Sequence, residues 1–248
     1  MAEYVHLLTV AQDAARKALK ELAAMAVGAS SYKFADGLPK EMKSTADYGI
    51  EKIVLACLVP TGLPILSEEV GELAGYDNDG LRWVLDPLDG TVNFIRGLAP
   101  CAVSIALWCG DIPVFGVIGE YPACRLAWGG RLFGAFIEGS PIHVSTLQEK
   151  SQAVLCTGFP SRFEFAGASE SNFWGMVSSF GKVRMLGTAS LSLLHVARGA
   201  ADAYSEQDIM IWDVAAGLAI IEGAGGNFNM LPGRFQYSHN IFASNGLI

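Results

Sequence analysis

"WVLDPLDGT", residues 83–91, joins an apolar run to two acids three residues apart, Asp86 and Asp89, with Pro87-Leu88 between them and Gly90-Thr91 behind. Packing gives a strand that is burying Trp83, Val84 and Leu85 no reason to end in paired carboxylates. Asp-Pro and Asp-Gly are ordinary turn formers, and acids at strand ends are commonly solvated. The other reading is a site. A Pro-Leu turn would let both carboxylates and the Leu88 carbonyl face one point, an all-oxygen arrangement suited to a hard cation such as Mg²⁺. Gly90 and Thr91 would then offer N–H groups at a helix start, a cradle for phosphate.

Working outward, "LPILSEE" (63–69) is a second apolar run ending in acids, Glu68 and Glu69, so two neighbouring strands deliver carboxylates to one sheet edge. Downstream, "WDVAAGLAIIEGAGG" (212–226) sets Asp213 at the head of a small-residue helix. The macrodipole tolerates a carboxylate there, and Asp is also a favoured N-cap. The chain has no GxxxxGK[ST], HExxH or GxSxG motif, and no GxGxxG opening a helix. His6, His143, His195 and His239 are isolated and read as structural or surface residues.

Around these motifs, residues 3–27 carry Leu8, Ala11, Ala15, Leu19, Leu22 and Ala26 on one helical stripe. A second helix is expected over 44–60, from Ser44-Thr45 to Pro60. Strands follow at 63–66, 82–85, 102–108, 113–120 and 125–130, with punctuation such as Asn78-Asp79-Gly80. From about 150 strands alternate with helices: strands at 152–158, 182–186 and 201–206, helices near 169–180, 189–199 and 213–226. The expected organisation is one catalytic domain, residues 1–248, with an α+β lobe at about 1–148 and an α/β lobe at about 149–248.

Composition narrows the class. The 248 residues are 51% hydrophobic and 17% charged, which is globular. The N-terminus has no signal-like pattern and no apolar run reads as a membrane span, so a soluble cytoplasmic protein is expected. Five scattered cysteines without a CxxC pair argue for reduced core residues. A net charge of -8 disfavours nucleic acid and anionic membranes as partners. An anionic substrate would have to be attracted by something other than net charge.

Taken together, "STAD" (44–47), "LSEE" (66–69), "WVLDPLDGTVNF" (83–94), "GAFIEGSPIHVS" (134–145), "TGFPSR" (157–162), "RMLGTAS" (184–190), "GAADAYSE" (199–206) and "WDVAAGLAIIEGAGG" (212–226) resemble the inositol monophosphatase family of Mg²⁺-dependent, lithium-sensitive phosphatases. The resemblance implies a layered αβαβα sugar-phosphatase fold. It implies that Glu68, Asp86, the Leu88 carbonyl, Asp89 and Asp213 hold about two or three Mg²⁺ ions. Thr91 and Asp47, with Glu68, match the residues that orient and deprotonate the attacking water. Gly90 and Thr91 match the phosphate contacts, Gly187, Thr188 and Ala189 the substrate contacts, and Glu206 the acid that binds a substrate hydroxyl. The implied substrate is a small polyol monophosphate such as myo-inositol monophosphate. Another sugar, an aminocyclitol, histidinol or a nucleotide phosphate is the alternative, and few basic residues near the motifs weigh against bisphosphates. A homodimer is implied, as is, from some bacterial relatives, a second role bound to the transcription machinery.

Two departures stand out. The stretch before Asp47 reads "FADGLPKEMKSTAD" (34–47), which keeps a hydroxyl at Ser44 but gives the family's upstream lysine no position. Asp208, in "SEQDIMIWD" (205–213), is either a solvated loop acid or a second carboxylate beside Glu206 for an amino-bearing or hydroxyl-rich substrate.

Overall fold

The N-terminal stripe forms helix α1 (Ala2–Ala24), whose Leu7, Leu8, Ala11, Ala15, Ala18 and Leu22 are buried. Helix α2 (Thr45–Leu58) begins at Ser44 in a capping box with Asp47 at its third position, and a 3-10 turn, Val59–Thr61, takes in Pro60. Ahead of α2 lies a hairpin not anticipated from the sequence, β1 (Tyr32–Ala35) with β2 (Leu38–Ser44). The structure is a computed structural model and describes residues 2–25, 32–35, 38–76, 79–159 and 167–248; Ala26, Asp36, Gly37, Asn78 and Pro160-Ser161-Arg162 of the motifs above lie outside them.

The apolar runs of the middle build one sheet. Its strands are β3 (Ile65–Ser67), β4 (Gly71–Leu73), β5 (Leu81–Asp89), β6 (Cys101–Cys109), β7 (Ile112–Tyr121), β8 (Arg125–Gly130), β9 (Gly134–Ile137) and β10 (Ser140–Pro141). They lie in the order β10-β9-β8-β7-β6-β5-β3-β4, and of the pairings only β3 with β5 is parallel. A short helix, α3 (Thr91–Arg96), links β5 to β6.

A second sheet holds β11 (Val154–Thr157), β12 (Lys182–Arg184), β13 (Ala203–Met210), β14 (Asn227–Pro232) and β15 (Ser238–Ser244), in the order β12-β11-β13-β15-β14. Helices α4 (Gly167–Ser178), α5 (Ala189–Ala197) and α6 (Ile211–Gly223) accompany it. β11 runs parallel to β12 and β13, but β15 and β14 add on antiparallel, so this sheet is mixed. The strand–helix rhythm conveyed only its parallel part. β14 is an exposed edge strand with two asparagines and a proline, a composition that reads as loop.

Side-chain alternation orders the layers. Trp83, Leu85, Val103, Ile105, Leu107, Phe115 and Val117 face α1 and α2. Their neighbours Val84, Ala102, Ala106, Trp108 and Ile118 face α5 and α6, which meet Tyr204, Ile241 and Ala243 of the second sheet on their other side. Leu155 and Ala203 point outward to Met176 and Val177 of α4. The result is αβαβα, as expected. Strands buried on both faces read as unbroken apolar runs, which is why β3, β5, β6, β7 and β8 were legible, whereas the short, partly exposed β4, β9 and β10 were not anticipated. α6 is a middle-layer helix: Val214 to Ile221 are all buried. Among the cysteines Cys101 and Cys156 are buried as expected, whereas Cys124 is exposed.

Candidate active site

Because β3 and β5 are parallel, with Ser67 opposite Leu85, the residues that follow them emerge side by side. The Glu68 N–H donates to the Leu85 carbonyl at 3.2 Å, next to Asp86. The expected Pro-Leu turn is instead a bulge inside a continuing strand. Asp86 pairs with Ser104 and Asp89 with Ala102, so three steps along β5 face two along β6. A bulge re-aims side chains without ending the strand. The Leu88 N–H donates to Asp86 Oδ1 at 2.9 Å, and Glu68, Asp86, Leu88 and Asp89 all line one cavity of about 240 Å³.

Beyond the bulge the chain must reverse into α3, and Gly90 does so at φ 90°, a left-handed conformation open to glycine. Thr91 opens α3 and lines the same cavity. Its hydroxyl lies 2.7 Å from Asp47 Oδ1 and 3.0 Å from the Leu88 carbonyl. A hydroxyl has one proton, so it donates to one of the two at a time. Whatever occupies the Leu88 carbonyl therefore directs the Thr91 proton to Asp47. Asp47 is buried, and its Oδ2 accepts from the Ser44 N–H at 2.8 Å and the Ser44 hydroxyl at 2.5 Å.

The opposite wall comes from the central helices. Asp213 sits in the first turn of α6 and lines the cavity, but the N-cap is Met210, so the capping alternative for Asp213 is excluded. The start of α6 is pinned twice: the Ile211 N–H donates to the Tyr237 carbonyl at 2.9 Å, and the Ser104 hydroxyl to the Trp212 carbonyl at 3.3 Å. Ser104 is the cross-strand partner of Asp86, so it ties the two acids' elements together. Asp89 reaches across to α5, whose N-cap is Thr188: it accepts from the Ser190 N–H at 2.7 Å, the Ala189 N–H at 3.3 Å and the Thr188 and Ser190 hydroxyls. Gly187 lines the cavity beside them, on a loop held by Asn93, whose Nδ2 donates to the Leu186 carbonyl at 2.7 Å.

Burial dominates the electrostatics. It pushes the Asp86 carboxyl well above the usual range, and the charges of Glu68, Asp89 and Asp213 push the same way. Asp213 is raised likewise by burial and then by Glu68 and Asp89, while a hydrogen bond with Asp86 opposes. Burial raises Asp89 against the pull of its Ser190 and Thr188 donors. Among the described residues no lysine or arginine lines the cavity. Among them, too, no three His, Cys, Asp or Glu side chains are already gathered to hold an ion between them. Mg²⁺ does not require that, since it keeps several waters and binds through one or two carboxylates at a time. An all-oxygen set of mutually repelling acids, Asp86 and Asp89 buried and Glu68 and Asp213 half-buried, with a carbonyl lone pair at Leu88, fits a hard cation.

At the far end Glu206 is buried, and burial raises its carboxyl to about 7, with the Tyr204 hydroxyl pulling it back and the Asp89 charge adding to the rise. Tyr204 donates to Glu206 Oε2 at 2.9 Å. Asp208 matches neither expectation. It is buried, it does not line the cavity, and its carboxylate accepts from the Arg234 N–H at 2.6 Å and Nε at 2.8 Å. It belongs to a bulge of β13 between Glu206 and Ile209, at φ 55°. Thr157, Phe159, Ser192 and Ile209 also line the cavity and were not picked out from the sequence as site residues. The motif "TGFPSR" held the signal for the first two. Ser104 and Ser190 carried none, since a serine in an apolar run is read as packing.

A profile of the inositol monophosphatase family matches residues 3–247. The Nus factor SuhB of Pasteurella multocida is 33% identical over 98% of this chain and 90% of its own length. A fructose-1,6-bisphosphatase/inositol-1-monophosphatase of Aquifex aeolicus is 35% identical over 72% of this chain and 68% of its own. Among solved structures, the inositol monophosphatase of Anabaena superposes with a TM-score of 0.85 at 32% identity, covering 99% of this chain and 93% of that one. Among the described residues no helix is long and apolar enough to cross a membrane. Matched by that profile over nearly its whole length and sharing the layered fold of the Anabaena enzyme, the chain belongs to the inositol monophosphatase family and is a phosphoric monoester hydrolase.

Proposed function

We propose that the cavity hydrolyses a small polyol monophosphate, such as myo-inositol monophosphate, with Mg²⁺ as cofactor. The observation that carries this reading is the lining itself: oxygen donors from both walls, with no lysine or arginine among the described residues to balance them. Glu68, Asp86, the Leu88 carbonyl, Asp89 and Asp213 would hold about two or three ions. When bound, Mg²⁺ offsets the charge of the phosphoryl oxygens, lowers the pKa of the attacking water and steadies the leaving alkoxide.

The chain's own groups do the rest. Asp47 takes the Thr91 proton, which leaves a lone pair on Thr91 Oγ1 to receive a proton from the attacking water. Gly90 and Thr91 turn N–H groups to the phosphate, and Gly187, Thr188 and Ala189 border the leaving group. Glu206 accepts its hydroxyls. Phosphate release from myo-inositol 1-phosphate, dependent on Mg²⁺ and abolished by chelation with recovery on re-addition, is the expected result; metal-independent turnover would refute the reading. The single domain, the homodimer and a cytoplasmic location belong to the same proposal.

Glu206 adds a pH signature. An ionised carboxylate is the stronger acceptor for hydroxyls, and this one ionises only as the pH passes about 7. KM for the polyol phosphate is expected to fall as pH rises through that value. In Glu206→Gln this inflection disappears and KM stays high, as pH-resolved initial rates would show. The Nus factor name of the Pasteurella relative supports a second reading, a regulatory binding role that would coexist with catalysis.

A further inference from the structure

One wall of the cavity is still without a role. Thr157 ends β11 opposite Ser205 on β13, so Gly158 lies against Glu206: a Cβ added at Gly158 would meet Glu206 Oε2 at 2.8 Å. The next residue, Phe159, lines the same cavity as Glu206, the acid read above as accepting the substrate's hydroxyls. The residue nevertheless stays 37% exposed, which is unusual for a phenylalanine packed at a site. Its ring packs against Phe173 of α4, with centroids 4.5 Å apart and planes at 41°, which restrains the part that stays exposed. Ile209, buried in the bulge of β13, supplies a further apolar surface in the same cavity.

An aromatic face beside a hydroxyl-accepting carboxylate is a combination with one economical use. A cyclic polyol is polar around its rim and apolar over its face, where C–H bonds project. A ring whose rim hydroxyls reach Glu206 brings that face to Phe159, whose negative π surface attracts the polarised C–H groups. An acyclic polyol phosphate reaches Glu206 as well but has no face to lay down.

Resting on the polyol-phosphate reading above, we propose that Phe159 is a specificity-determining residue, a platform that selects cyclic over acyclic polyol monophosphates. It acts on the leaving group alone and takes no part in the bond-breaking step, so its contribution falls on KM and not on kcat.

The test compares the Mg²⁺-loaded full chain and its Phe159→Ala, Phe159→Leu and Phe159→Trp variants on myo-inositol 1-phosphate and glycerol 2-phosphate. Phe159→Ala is expected to raise KM for the cyclitol about ten-fold, on the scale of one aromatic contact, with kcat and the KM for glycerol phosphate within about two-fold of the parent. Phe159→Trp restores the cyclitol KM. Phe159→Leu keeps apolar bulk without a π face and sides with alanine, which also covers a poorly folded alanine variant. Equal KM changes on the two substrates, no change on either, or full retention in Phe159→Leu would overturn the platform. A parent chain that hydrolyses neither substrate would overturn the polyol reading and the platform together.

Discussion

Asp86→Asn is expected to lower phosphate release roughly 10³-fold at saturating Mg²⁺, the scale of losing one preorganised electrostatic element, while making the metal-free protein more stable. The two effects have one cause. Asp86 is buried among Glu68, Asp89 and Asp213, and its carboxyl is held well above the usual range by burial first and by those charges second. Asparagine keeps a carbonyl for the Leu88 N–H and offers an amide N–H to Asp213, so it removes a repelling charge without opening a hole. The expected gain without metal is about 1–3 kcal/mol, the cost attached to a badly compensated buried polar group. A carboxyl with a raised folded-state pKa contributes stability that is complete below its ordinary value of 3.8 and is lost as pH rises. The melting temperature of metal-free wild type should therefore fall over the pH range above that ordinary value, and that of the variant should fall less. Mg²⁺ should stabilise wild type most at the upper end of that range. Thermal melts across pH with and without Mg²⁺, beside phosphate-release assays, would show it; a variant that is inactive and also less stable without metal would contradict the account. Asp89→Asn is a poorer probe, because Asp89 accepts from four donors at the start of α5 and an amide there would face a donor.

Gly116→Val is expected to destabilise the fold by at least ~3 kcal/mol, the upper range for overpacking, and to cost activity in whatever folds. Gly116 lies on β7 where α6 crosses the sheet, and a Cβ there would stand 2.2 Å from the Ala216 carbonyl oxygen and 2.6 Å from its Cα. Those are backbone atoms of a buried helix, with no rotamer to swing aside. α6 must lift, and it carries Asp213 one turn before Ala216, so the same displacement opens the site. Denaturant melts and residual kcat/KM at saturating Mg²⁺ measure the two consequences. Wild-type stability in the valine variant would mean that α6 does not pack as closely as described.

The close approach at Gly116 also illustrates why part of the fold was unreadable. A glycine among β-branched residues looks like a weak point in a strand, and its reason appears only when a helix distant in sequence lies across it. Elements with strong local signals came through: the α1 stripe, the Ser44 cap of α2 and the doubly buried strands of the first sheet. The β1–β2 hairpin did not, because its sequence carries no sustained run of alternating or continuous apolar residues, and the β14–β15 pair did not, because β14 is polar and exposed and β15 mixes polar with apolar residues. Asp208 was misread for a similar reason. Its partner Arg234 is 26 residues away, and only the β13 bulge turns the two together.

By itself the sequence determined which residues make up the first wall, because that wall is local. Glu68 directly follows β3, and Asp86, Leu88 and Asp89 lie in the last four residues of its neighbour β5, so they reach one sheet edge, where the bulge between Asp86 and Asp89 lets both acids line the same cavity. Tertiary structure decided everything that crosses the layers. The clasp between Asp89 and Ser190 spans 101 residues, and the bond from Ser104 to the Trp212 carbonyl spans 108. No local propensity encodes such contacts; they exist because two sheets share the α5–α6 layer and bury it from both sides. That packing turns "WVLDPLDGT" from a strand with two acids into half of a cavity that α6 completes.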